Sequence, residues 1–216
     1  KNAIIMVDIF TKFTQVVPLD TKQIPDVIEA MEQCLKKMKH KPKTLYMDNE
    51  GAFVSSQARK FFDDEGIRPV YTLGHAPVAE RQIRTIKDMI YKRLENYPTK
   101  HWAGELFDVL KTYNTKMVHS TTKKTPQDAM KQSHQLEVKF NLELKNKRTR
   151  KYPTIAVGDT VKVLKKDKLD KERVSNWLPE HRKVLEITES MGQTFYKIDG
   201  PWRPKPLIRS DLLLIE

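Results

Sequence analysis

Two acidic residues are the first candidates for chemistry. Asp48 ends the short apolar run Lys43–Met47 and is followed by Asn49, Glu50 and Gly51. Glu80 falls in the first turn of His75–Leu94, HAPVAERQIRTIKDMIYKRL. There, Ala79, Ile83, Ile86, Ile90, Leu94 and Tyr97 recur at the i, i+3/i+4 spacing of a packed helix. Carboxylates at a strand end and on the helix after the next strand can converge, and such a pair forms a hard-oxygen site suited to Mg²⁺ or Mn²⁺. Arg84 and Lys87 follow Glu80 at i+4 and i+7, so one anion and two cations share a ridge beside the apolar stripe. Taken alone, Glu80 and Arg84 are an ordinary helical surface pair worth about 0.2–0.5 kcal/mol.

The elements that must position these residues are legible in order. Ala3–Asp8 (AIIMVD) reads as a buried strand and Thr14–Leu19 (TQVVPL) as its antiparallel return, with Pro18 at a sheet edge. Gln23–Met38 is predicted helical, with Pro25 tolerated in its first turn. Lys43–Met47 is a strand, Ser55–Glu65 a helix closed by Gly66, and Ile67–Thr72 a strand. Leu73–Pro77 reads as the loop that delivers the Glu80 helix. Trp102–Met117 is the next helix, and Thr125–Pro126 starts a last short one through Met130. This alternation predicts a mixed α/β sheet with helices on both faces.

The second part of the chain changes character. Lys131–Tyr152 reads as a linker, and its segment KNKRTRK (Lys145–Lys151) holds five cations and no acid, as a solvated tether, a phosphate-tracking strip or a nuclear import signal would. From Val157 short apolar or alternating runs at Thr160–Leu164, Lys183–Thr188, Thr194–Ile198 and Leu212–Ile215 alternate with glycine and proline punctuation, a pattern that suits a small barrel of about five strands. Trp177 and Trp202 read as core anchors of that barrel or as contacts on its face, the core being favoured.

Composition sets the outer limits. The 216 residues carry a formal net charge of +12, which favours a polyanionic partner, nucleic acid before an acidic membrane surface. The single cysteine, Cys34, excludes an internal disulfide and reads as a small core residue. No run has the apolar length of a transmembrane span, so no membrane partner is expected. The abrupt start at Lys1, directly before a strand, leads to the expectation of a fragment of a longer protein.

Together these stretches resemble one family. IIMVDIFTKFTQVVPL is similar to the second and third core strands, YMDNEGAF to the second acidic motif and AERQIRTIK to the glutamate motif of the integrases of retroviruses, LTR retrotransposons and Polinton/Maverick elements. PTKHWAGELFDVLKTYN and KKTPQDAM resemble the later helices. VGDTVKVL, NWLPEHRKVLEI and SDLLLIE resemble the tail domain of the Polinton/Maverick type, to which the likeness is nearest.

The resemblance implies an RNase H-like mixed-sheet core over residues 1–135, a basic linker over 136–152, and an SH3-like or chromodomain-like β-barrel over 153–216. It implies a DDE-type polynucleotidyl transferase of a transposable element, acting in the host nucleus as a homo-oligomer on double-stranded DNA, element ends and target alike. The reaction implied is 3′-end processing and strand transfer with two Mg²⁺ (or Mn²⁺) ions. Asp48 and Glu80 would be catalytic and metal-binding; Arg84, Lys87, Lys145, Lys147, Arg148 and Arg150 would contact DNA. The first catalytic Asp is expected on a strand before residue 1, and so outside this chain. Asp8 then corresponds to a structural residue whose side chain accepts backbone N–H bonds at a strand end. Two other classes stand beside this one: an integrase-derived DNA- or chromatin-binding protein without catalysis, and an unrelated RNase H-like nuclease, which would not account for the basic linker and barrel.

Overall fold

A computed structural model describes residues 2–72, 76–95, 101–148, 151–165, 175–190, 193–200 and 206–215. The chain divides into two compact units, residues 1–71 with 75–149, and residues 72–74 with 150–216.

The first unit opens on a hairpin. Strands β1 (Asn2–Val7) and β2 (Thr14–Leu19) pair antiparallel from Asn2↔Leu19 to Val7↔Thr14. The turn between them is closed by Asp8, whose carboxylate accepts from Phe10 N (3.0 Å), Thr11 N (3.4 Å) and the Thr11 hydroxyl. That is the structural role expected of Asp8. Helix α1 (Ile24–Lys37) follows, burying Val27, Ala30, Met31 and Cys34 at helical spacing. Burial pushes the Cys34 thiol up to about 12, so it is an inert core group.

Strand β3 (Thr44–Asp48) leads to a one-turn helix that the sequence pattern did not predict, α2 (Gly51–Val54), and then to α3 (Ser56–Glu65). Ser55 caps α3 by accepting from Ala58 N (3.1 Å), and Gly66 ends it at φ +61°, the left-handed position that glycine takes without a Cβ penalty. Strand β4 (Arg68–Thr72) pairs with β3. One core joins β1, β2, α1, β3 and α3: Met6, Val17, Leu19, Met31, Met47, Phe62 and Ile67 belong to one buried cluster.

The single mixed sheet expected from the sequence is present in two pieces among the described residues, β1–β2 and β3–β4. The strand β1 is apolar throughout its centre, yet only Met6 is buried; its partner β2 buries Thr14, Val16, Val17 and Leu19.

Helix α4 (Pro77–Leu94) and helix α5 (Trp102–Lys116) form a second core with β2 around Val16, Ile86, Ile90, Leu106, Val109 and Tyr113. Of the face expected on α4, Ile86 and Ile90 are buried and Leu94 packs beside them; Gln82 joins this stripe, Ile83 is 37% exposed, and Tyr97 lies outside the described residues. Met117, the residue that caps the C-terminal end of α5, is exposed. Polar bonds join these layers. Asn114 accepts from Thr14 N (3.0 Å) and donates to Thr14 O (2.8 Å), and the Tyr113 hydroxyl donates to Gln82 Oε1 (3.0 Å). Arg93 near the end of α4 pairs with Glu105 and with Asp108 (2.7 Å) on α5.

After α6 (Pro126–Ala129), capped by Thr125 accepting from Asp128 N (3.1 Å), the stretch read as a linker is largely helical: α7 covers Gln135–Arg148. Its Val138 is fully buried, Asn141 donates to Thr122 O (3.2 Å), and Lys145 donates to the Thr121 hydroxyl (2.9 Å). Leu, Glu, Gln and Lys are good helix formers, and these three attachments supply what propensity alone would not.

The second unit is a five-stranded antiparallel sheet in the order β8–β7–β6–β5–β9, from β5 (Thr160–Val163), β6 (Arg182–Ser190), β7 (Gln193–Ile198), β8 (Leu207–Ile208) and β9 (Leu212–Leu214). Its core gathers Ile155, Val161, Val163, Val184, Tyr196, Leu207 and Leu212. Trp177 is half-buried and bridges to Leu164; Trp202 lies outside the described residues.

Candidate active site

Alternation along β3 buries Met47 and leaves Asp48, its last residue, exposed to solvent. The chain then turns through α2, whose first hydrogen bonds run from Phe53 N (3.0 Å) and Val54 N (3.3 Å) to Glu50 O. The Tyr71 hydroxyl donates to Phe53 O (3.0 Å) and ties β4 to this turn. A short helix therefore holds the segment after Asp48.

Glu80 is exposed in the first turn of α4, where its carboxylate lies near the positive end of the helix dipole. Pro77 stands at the start of this helix, so the segment before Glu80 is already helical from Pro77; residues 73–75 of the preceding loop lie outside the described residues. Asp48 and Glu80 belong to the same compact unit. As ionised carboxylates they offer only acceptor oxygens, the donor chemistry a hard divalent cation takes alongside water. The described residues hold no group of three or more His, Cys, Asp or Glu side chains arranged for a metal ion.

The predicted DNA-contacting residues separate into three groups. Arg84 and Lys87 are exposed on α4. Lys87 borders an open groove of about 940 Å³ whose walls include Ala3 and Ile5 of β1, Ile83, Tyr91 and Leu106. Lys147 and Arg148 are exposed in the last turn of α7, while Lys145 reaches back to Thr121. Arg150 lies outside the described residues. Sequence reasoning passed over Lys12, Arg81 and His119, which act on one another electrostatically. They sit far apart in the chain, and no local spacing could have joined them.

Residues 1–77 match the model of the integrase core domain family. The retrovirus-related Pol polyprotein from transposon 297 of Drosophila melanogaster is 27% identical over 128 residues, 58% of this chain; the matched segment spans 12% of that relative's length. Among solved structures, the HTLV-2 integrase catalytic core domain in complex with magnesium, in its trimeric form, superposes at a TM-score of 0.52 with 23% identity, over 57% of this chain and 80% of that one. A chain of the simian T-cell lymphotropic virus intasome, in complex with PP2A regulatory subunit B56 gamma, superposes at 0.61 with 17% identity, over 97% of this chain and 70% of that one. These likenesses establish a mixed α/β, integrase-core-like fold.

Proposed function

We propose that this chain is part of an integrase that processes the 3′ ends of element DNA and joins them to target DNA. The observation that carries the reading is the pair of exposed carboxylates, Asp48 at the end of β3 and Glu80 in the first turn of α4, in a chain whose residues 1–77 match the integrase core domain. Asp48 and Glu80 would hold two divalent ions, Mg²⁺ or Mn²⁺. Such ions, when bound, activate the attacking oxygen and stabilise the leaving oxygen of an in-line phosphoryl transfer. The chain's own side chains supply position. The strand end fixes Asp48, the helix fixes Glu80, and Arg84 and Lys87 on the next turns of α4 hold phosphates of the DNA end by charge-assisted bonds. Lys147 and Arg148 add sequence-independent phosphate contacts.

The remainder of the reading follows the resemblance. The element is of Polinton/Maverick type, the C-terminal sheet serves as an SH3-like module, and the protein works as a homo-oligomer on double-stranded DNA in the nucleus. Among the described residues, no helix is long and apolar enough to cross a membrane.

A second reading is favoured by the charge: +12 over 216 residues, with exposed cations on α4 and α7, would bind DNA without any catalysis. Strand transfer with the full-length parent protein, an oligonucleotide donor end and Mg²⁺ or Mn²⁺ separates the two. For an enzyme, Glu80→Gln lowers the rate at least about 100-fold, the scale of losing one transition-state electrostatic contact, while DNA affinity changes little. DNA binding without any strand transfer by the unmutated protein overturns the catalytic reading in favour of a binding protein.

A further inference from the structure

A run of lysines lies outside the DNA-contacting set described above. Residues 36–43, KKMKHKPK, hold five lysines, one histidine and no acid. The run joins α1 to β3 and is pinned to the fold along its length. Lys36 and Lys37 occupy the last turn of α1, where the negative end of the helix dipole favours cations. Met38 caps that helix by donating from its N–H to Cys34 O (2.9 Å) and Leu35 O (3.1 Å). Gln15 Nε2 donates to Lys37 O (3.5 Å), and the Lys39 ammonium stands 5.8 Å from the centre of the buried Phe13 ring, a cation–π contact. At the far end Lys43 O accepts from Arg68 N (3.0 Å), which sets the start of β4 beside the start of β3. Leu35, Met38 and Leu45 pack against the first core.

All five lysines of the run, His40 and Arg68 are exposed. Two of these cations are answered by acids: Lys36 pairs with Glu32 (2.6 Å) and Lys41 with Glu65 (2.7 Å). Lys37, Lys39, Lys43 and Arg68 have no carboxylate partner among the described residues. Four cations thus stand on one anchored surface with their charge unspent. A polyanion takes such a surface with little ordering of the backbone left to do. The run exposes no large apolar side chain that could insert into a membrane. It is also a poor linear motif, because a receptor reading it as an extended strand would have to pull Lys36 and Lys37 out of α1.

We infer that Lys37, Lys39, Lys43 and Arg68 form a surface that holds phosphates of a DNA duplex by sequence-independent contacts. That the polyanion is DNA rests on the integrase reading above. Lys43 directly precedes β3 and Asp48 ends it, so at about 3.3 Å per strand residue their backbones lie roughly 16 Å apart. That separation exceeds the Debye length of about 8–10 Å at physiological salt. The surface therefore does not hold the phosphate that would react near Asp48; it holds the duplex at a distance from it.

Fluorescence anisotropy of the 216-residue chain with a labelled duplex of about 20 base pairs, between about 50 and 200 mM salt, tests the surface. It compares Lys37→Gln/Lys39→Gln/Lys43→Gln with the charge-matched control Lys60→Gln/Lys111→Gln/Lys116→Gln, whose lysines are exposed elsewhere on the same unit. Melting curves check that both variants fold. The cluster variant is expected to bind about tenfold more weakly than the control, with a salt slope shallower than wild type by about 0.9 per cation removed. Equal losses in the two variants overturn the site, because net charge alone then accounts for them. Lys37→Arg/Lys39→Arg/Lys43→Arg keeps the charge and is expected to bind as wild type; a loss as large as that of the glutamine variant traces to the fold and overturns the phosphate assignment. A cluster variant that binds DNA like the control, yet no longer carries a fused fluorescent protein into the nucleus, makes the run an import signal and overturns the surface. Duplex binding through these lysines by a parent protein without strand transfer upholds the surface and removes only the catalytic reading. A wild-type chain that binds no duplex overturns both.

Discussion

Helix α4 buries Gln82, Ile86 and Ile90 in a continuous stripe against β2 and α5, and its cations stand clear of that stripe. Helix α7 buries Val138 alone, leaves Leu136 (82%) and Phe140 (59%) exposed, and is fastened by Asn141, Lys145 and a Lys124–Glu137 pair (3.0 Å) to the turn at residues 121–124. The difference teaches where a cation can be removed without cost to the fold. On α4 the apolar stripe carries the helix, so Arg84 and Lys87 are available to a ligand. On α7 a cation is itself one of the fasteners, so Lys145 serves fold and charge together.

Breaking the comparison begins with the α4 stripe. Ile86→Ala is expected to cost about 2–5 kcal/mol in urea unfolding, the range for emptying a buried aliphatic site. A cost within 0.5 kcal/mol would show that α4 does not depend on its stripe. Val138→Ala, the one buried side chain of α7, should cost about 2 kcal/mol for two lost methyl groups and the space they leave. Asn141→Ala removes a single neutral hydrogen bond to Thr122 O and should cost about 1 kcal/mol. If it cost as much as Val138→Ala, polar fastening would rank level with packing on α7. Last, Arg84→Ala with Lys87→Ala should leave stability within about 0.5 kcal/mol of wild type. The same pair should flatten the salt dependence of DNA binding by about 0.9 in slope per cation. An unchanged slope would remove both residues from the DNA-binding set.

The same two helices explain how much was legible in the sequence. Elements with a clean period were readable to within a few residues: the hairpin strands, α1, α3 with its Gly66 stop, α4 and α5. In α7 the apolar residues Leu136, Val138, Phe140, Leu142 and Leu144 alternate, which is a strand's period and no helix's, so the pattern concealed a helix built by propensity and local fastening. On α4 the expected Ile86 and Ile90 are buried, but the first turns differ: Gln82, a polar residue, takes an inner position by accepting from the Tyr113 hydroxyl, and Ile83 is exposed. The placement of Asp48 at a strand end and of Glu80 in a first helical turn was legible because residue type and element ends are local information. Lys12, Arg81 and His119 were not singled out, because they lie far apart in the chain and act on one another only in the folded unit. The basic run at 145–151 showed its charge in the sequence and kept back that Lys145 points to Thr121.

The Thr14–Asn114 pair has a consequence in time. Its two hydrogen bonds join positions 100 residues apart. Closing a flexible loop of that length costs about 4 kcal/mol by the logarithmic loop term, against less than 2 for a short hairpin turn. The β1–β2 hairpin therefore forms long before α5 docks on it. During synthesis at about 5–20 residues per second, the hairpin waits roughly 5–20 s for Asn114 to emerge. For that interval Val17 can already pack against α1 and α3, whereas Val16 still lacks its cover from α5.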